Sequence, residues 1–111
     1  MMYSEMSDFE INREVAGKVG GFLANDILEE EQTIFKWHPG NKYSKFDPCN
    51  SWADAGPIIE ENGIAIFPFK KTTPAAFPSS EGLVSKRLVE HKNVLRAAMI
   101  VFLMMQEQTN A

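Results

Sequence analysis

The chain is 111 residues long, 44% apolar and 23% charged, with a net charge of -4. A chain of this length buries about two thirds of its unfolded surface, so it can form one core, and it is too apolar for a disordered segment. Its longest unbroken apolar run, Ala97 to Met105, has nine residues, where a membrane-spanning helix needs ~17–25; a helical membrane protein is excluded.

The first predicted element is a helix over roughly 8–19. Ser7-Asp8-Phe9-Glu10 reads as a capping box, with Met6 and Ile11 placed as a hydrophobic staple. Phe9, Ile11, Val15, Ala16 and Val19 form its apolar stripe, and Gly20-Gly21 ends it. Residues 22–31 fit neither template: Phe22, Leu23, Ile27 and Leu28 are apolar, but Glu29-Glu30-Glu31 is a solvated like-charge run. Thr33 to Trp37 reads as a strand. A turn at Pro39-Gly40-Asn41 joins it to a partner over Lys42 to Phe46.

A second helix follows Asn50-Ser51. It starts either at Trp52, with Pro57 in its interior, or near Asp54, which puts Pro57 in the first turn. Asn62-Gly63 ends it, and Ile64 to Phe67 is a strand cut short by Pro68. Residues 72–80 hold two prolines and small residues and read as an exposed loop. Residues 82–90 fit helical spacing and a ragged alternation about equally. Asn93 then caps a final helix, roughly 94–107, in which Arg96 is the one polar residue between Val94 and Met105. The whole, 1–111, reads as one α+β domain: a small, mainly antiparallel sheet with three packed helices.

Charge is unevenly placed. Residues 1–35 carry net -6 and residues 36–111 net +2. A net acidic chain is a poor general binder of nucleic acid. The lone cysteine, Cys49, forms no intramolecular disulfide, and the polar, acidic start lacks the basic and apolar regions of a signal peptide. The expectation is a cytoplasmic protein of the bacterial host.

Three stretches carry a family resemblance: Tyr3-Ser4-Glu5-Met6-Ser7-Asp8-Phe9-Glu10-Ile11-Asn12, then Pro48-Cys49-Asn50-Ser51-Trp52-Ala53-Asp54-Ala55-Gly56-Pro57-Ile58-Ile59-Glu60-Glu61-Asn62, then Leu95 to Met105. With them the chain resembles the NinX-like proteins of lambdoid phages and prophages. Gly56 and Val94 depart from the pattern, which has a bulky aromatic and a proline there. The resemblance implies a phage accessory protein related to small phage α/β sandwich domains, with no catalytic residue to carry over. It also implies an extended segment before the last helix, over 82–90.

The candidate chemistry is sparse. Asp47, Cys49, His38 and His91 are the residue types of a nucleophile or a metal site, but their spacing does not cluster them. Cys49 reads as a buried side chain at the entry to the second helix. Asp54, Glu60 and Glu61 read as a cap and a solvated face, and no glycine-rich phosphate loop is present. No cofactor, metal or catalytic residue is expected.

Two binding surfaces are expected. Lys70, Lys71, Lys86, Arg87 and Lys92, with Arg96, make residues 70–96 net +4. With Phe67 and Phe69 beside them they would contact phosphates and stack on bases. The final helix is apolar nearly all round, so Met99, Phe102 and Met105 are the candidate interface of a homodimer. The function expected first is protein–protein contact with a second copy or a host or phage protein. The alternative is a nucleic-acid-binding factor using residues 67–96, and an enzyme is expected least.

Overall fold

A computed structural model of the chain describes residues 2–68 and 70–109. It shows an α+β fold with three α-helices and two small antiparallel sheets among the described residues. After a 3-10 turn at Tyr3–Glu5, helix α1 spans Asp8–Val19. The Ser7 hydroxyl accepts from the Glu10 amide at 3.1 Å, and the Glu10 carboxylate accepts from the Ser7 amide at 2.9 Å, so the capping box forms as expected. Phe9, Ile11, Val15 and Ala16 are buried.

The ambiguous stretch 22–31 resolves into a 3-10 turn at Ala24–Asp26, a two-residue strand β1 (Ile27–Leu28) and a turn carrying the glutamate run. Strand β2 (Thr33–His38) lies between β1 and β3 (Lys42–Lys45). The expected hairpin is present, and Gly40 (φ 89°) and Asn41 (φ 58°) take the positive φ its tight turn requires. Alternation sends Ile34 inward, while Thr33, Phe35 and Trp37 point outward.

Helix α2 (Trp52–Asn62) starts at the earlier of the two predicted positions, with Pro57 inside it. The bond Pro57 cannot make belongs to the carbonyl of Ala53. Both residues are exposed, so the missing bond falls on the solvent side of the helix. Gly63 closes the helix in the left-handed conformation (φ 63°, ψ 48°).

The second sheet has the order β4 (Ile64–Phe67), β5 (Ala75–Pro78), β6 (Val89–Glu90). The exposed loop expected over 72–80 is in part wrong, because Ala75–Pro78 is a central strand and all four residues are buried. Small side chains suit it, since the last helix lies directly on it. β6 pairs only with Ala75 and Ala76, so Pro78 needs no amide on that side. The extended reading of 82–90 holds only for Val89–Glu90; Gly82–Val84 is a 3-10 turn. The sheet expected as one is therefore two.

Helix α3 (Val94–Thr109) packs against α1, α2, β4, β5 and β6. Asn93 caps it, its Oδ1 accepting from the amides of Leu95 (3.1 Å) and Arg96 (3.2 Å). Every residue from Leu95 to Leu103 is buried. This corrects the expected interface: Met99 is 0% and Phe102 3% exposed, both in the core, and Met105 is half-buried. An all-round apolar helix needs several neighbours, and this chain supplies them itself, with two helices and the second sheet. No helix among the described residues is long and apolar enough to cross a membrane.

Candidate functional site

Of the residues singled out in the sequence, Asp47, Cys49 and Arg96 meet at one junction between α1, the turn before α2, and the start of α3. Arg96, 7% exposed, is held there. Its guanidinium donates to Asp8 Oδ1 (2.7 Å) and to the carbonyls of Met6 (2.5 Å) and Tyr3 (3.2 Å). Asn12 is buried and donates to Asp47 Oδ1 (2.7 Å), while its own oxygen accepts from the Cys49 amide (3.1 Å). Asn50 donates to Asp8 and Asp47, both at 3.1 Å, and Asn93 donates to the Cys49 carbonyl at 2.8 Å. Among the described residues no buried side-chain nitrogen or oxygen lacks a partner.

This junction is built for holding elements together. Partial burial pushes the Asp8 carboxyl upward, but hydrogen bonds from Arg96 and Asn50, with the Arg96 charge, outweigh it and hold the group below its ordinary value. Cys49 is fully buried, and burial followed by the Asp8 charge pushes its thiol up to about 12. A thiol in that state is not a nucleophile at neutral pH. Asp54 accepts from the Asp47 amide (2.9 Å), while Glu60 and Glu61 are exposed.

The histidines are not brought into this cluster as a pair. His38 bonds the Ser44 hydroxyl across the hairpin (2.7 Å), and His91 Nδ1 accepts from the Asn93 amide (2.9 Å). No group of three His, Cys, Asp or Glu side chains among the described residues is placed to hold a metal ion. An open cleft of about 390 Å³ runs beside the junction, lined by Asp8, Asn12, Lys45, Asp47 and Asn50 among others.

The basic segment is split between the two ends of the second sheet. Arg87 is tied to Glu81 by an ion pair, and Arg96 is the buried pair with Asp8. Register puts Lys92 at the same end of the second sheet as Lys70 and Lys71, while Lys86 precedes β6 at the opposite end. Phe67 is 37% exposed and meets Phe77 edge-on at 5.2 Å. Phe69 lies outside the described residues.

A second surface also sets exposed aromatic side chains beside lysine. On the outward face of the first sheet, Trp37 pairs with Tyr43 and Phe35 with Lys45. Cross-strand aromatic neighbours normally contact one another, yet Trp37 stays 48% and Tyr43 57% exposed. A shallow depression of about 340 Å³ adjoins it, lined by Asn25, Asp26, Phe35 and Tyr43. Sequence reasoning placed the hairpin but passed over its surface. The signal was present: residues 32–46 contain Phe35, Trp37, Tyr43 and three lysines without a single Asp or Glu.

Three helices and two small sheets tied by a buried polar junction define a small α+β protein. The chain matches the family described as Bacteriophage P22, NinX over residues 2–106, and it belongs to that family. It is thus a phage accessory protein. No curated protein matches it. The three stretches that carry the family resemblance are those that meet at the Arg96–Asp8–Asn50 junction, so the motif residues there maintain the fold.

Proposed function

We propose that this protein works by binding a macromolecular partner in the host cytoplasm, and not by catalysis, and that its docking surface is the outward face of β1–β2–β3. The observation that carries this reading is the Trp37–Tyr43 pair, two large aromatic side chains side by side and about half exposed. Exposed aromatic clusters are costly in water and mark interaction sites. The high thiol pKa of Cys49 and the structural ties of Asp8, Asp47 and Asp54 favour binding over chemistry.

The homodimer expected from α3 loses its residues, since Met99 and Phe102 serve the chain's own core. A two-fold contact through the sheet face would bring the lysines of both copies into one interface. A partner other than a second copy suits that face better.

The test is a photo-crosslinking amino acid placed at Tyr43, with Val84, 92% exposed on another surface, as control. In phage-infected cells, a crosslinked species is expected from position 43 and not from 84. No species from 43, or equal yield from both, would refute this docking surface.

A further inference from the structure

We infer that the outward face of β1–β2–β3 binds single-stranded nucleic acid, with Trp37 and Tyr43 as the stacking platform and Lys42 and Lys45 as phosphate contacts. This rests on the reading above that the face is the docking surface. Phe35 lies two residues from Trp37 on the same face, about 7 Å along the strand. Three rings therefore share one side of the sheet. Flat rings at half exposure suit the faces of unpaired bases, and every base has such a face. A duplex hides those faces between neighbouring pairs, so the platform selects single strands.

Charge points the same way. Lys45 stands on the ring face opposite Phe35; Lys42, opposite His38, starts from the other face, but it lies on the edge strand beside the turn, where its stem can reach round the edge. Both are exposed and neither has an ion pair among the described residues. Lys36 points to the other side of the sheet.

One carboxylate, Asp26, lines the adjoining depression with Phe35 and Tyr43, but it is buried and accepts from the Leu23 amide (2.8 Å). The Glu29–Glu31 turn sits at the far end of β2, and Thr33 is about 13 Å from Trp37 along the strand. That exceeds the screening length of ~8 Å at physiological salt for the Trp37–Tyr43 pair, while Lys45, opposite Phe35, stands about 7 Å from Thr33. Asn25, exposed at the rim of the adjoining depression, offers an amide able to donate to and accept from a base edge. A protein partner fits less well, because a stable protein interface covers ~800 Å² per side and this patch has only a few apolar side chains, bordered by lysine.

The experiment uses the full chain with Trp52→Phe, which leaves Trp37 as the single tryptophan of the two. It is titrated with labelled oligothymidylate, oligouridylate and a duplex of equal length, reading anisotropy and Trp37 fluorescence. Expected are Trp37 quenching on single strands and weaker binding to the duplex. Log affinity should fall against log salt with a slope of about -1.4, for two phosphates. Tyr43→Ala should weaken binding about tenfold, and Lys42→Glu/Lys45→Glu should abolish it, with far-UV circular dichroism unchanged. If Tyr43→Ala fails to fold, the lysine variant decides.

Absence of quenching and of an anisotropy change, a duplex bound as tightly as a single strand, or variants that bind like the parent would each overturn the inference. A Tyr43 crosslink that resists nuclease and yields to protease would overturn it too, while leaving the docking surface standing.

Discussion

Arg96→Met removes the one cation buried in the junction and keeps most of the side-chain stem, so little cavity is left behind. What is lost is a guanidinium that donates to the Tyr3 and Met6 carbonyls and to Asp8. The Tyr3 carbonyl keeps the Met6 amide as a donor (3.1 Å), so the Met6 carbonyl alone is stranded, at a cost of about 1–3 kcal/mol. The Asp8 side chain is 43% exposed, so water replaces its partner, and that ion pair contributes about 1 kcal/mol or less. Relief from burying the charge offsets part of the loss. The net expectation is about 2 kcal/mol of destabilisation, a sizeable share of the ~5–15 kcal/mol typical of a domain. At about 4 °C per kcal/mol the melting temperature should drop by roughly 8 °C. Urea unfolding followed by circular dichroism measures this, with Asp8→Asn as the control expected to cost about 1 kcal/mol. A midpoint for Arg96→Met matching the parent would refute the reasoning. So would Asp8→Asn costing as much as Arg96→Met, because the carbonyl bonds would then not be the dominant contribution.

Asp8 also makes stability depend on pH. Its carboxyl titrates below the ordinary 3.8 in the folded state, so its contribution is present above that value and is lost as pH falls through the lowered one. Between about pH 5 and about pH 3 the urea midpoint should fall more steeply in the parent than in Asp8→Asn. Ser7→Ala should cost about 1 kcal/mol through loss of the capping box, and an unchanged denaturation midpoint would contradict it. Cys49 should resist a thiol reagent in native buffer and react fully in denaturant; rapid native labelling would revive its candidacy as a nucleophile. Met99→Ala should cost about 2–5 kcal/mol, as for a core residue, whereas a loss under about 1 kcal/mol would restore Met99 to the surface.

Much of the local structure was legible without coordinates. The Ser7 capping box, the hairpin turn at Pro39-Gly40-Asn41, the stop at Gly63 and the Asn93 cap all lie within a few residues of the groups they serve. Short-range hydrogen bonding and φ preference decide such features, and both are written in adjacent residue types. The α+β class follows from the same elements. The candidate site was less legible: the aromatic hairpin stood in the sequence, but its exposure depends on whether another element covers that face.

Three matters were decided only by tertiary contact. Ala75–Pro78 has the composition of a loop and became a buried central strand, because small side chains fit beneath α3 and a proline is tolerated where β6 has ended. Arg96 looked like part of a basic surface. It is instead buried because Asp8 and two carbonyls, some ninety residues away in sequence, meet it in space. Sequence analysis identified α3 correctly as a helix needing cover on more than one side. Which groups supplied that cover, α1, α2 and the second sheet or another copy of the chain, was a question of packing between distant segments. Hydrophobic burial is non-directional, so an apolar residue demands removal from water without naming its neighbours, and only the folded arrangement identifies them.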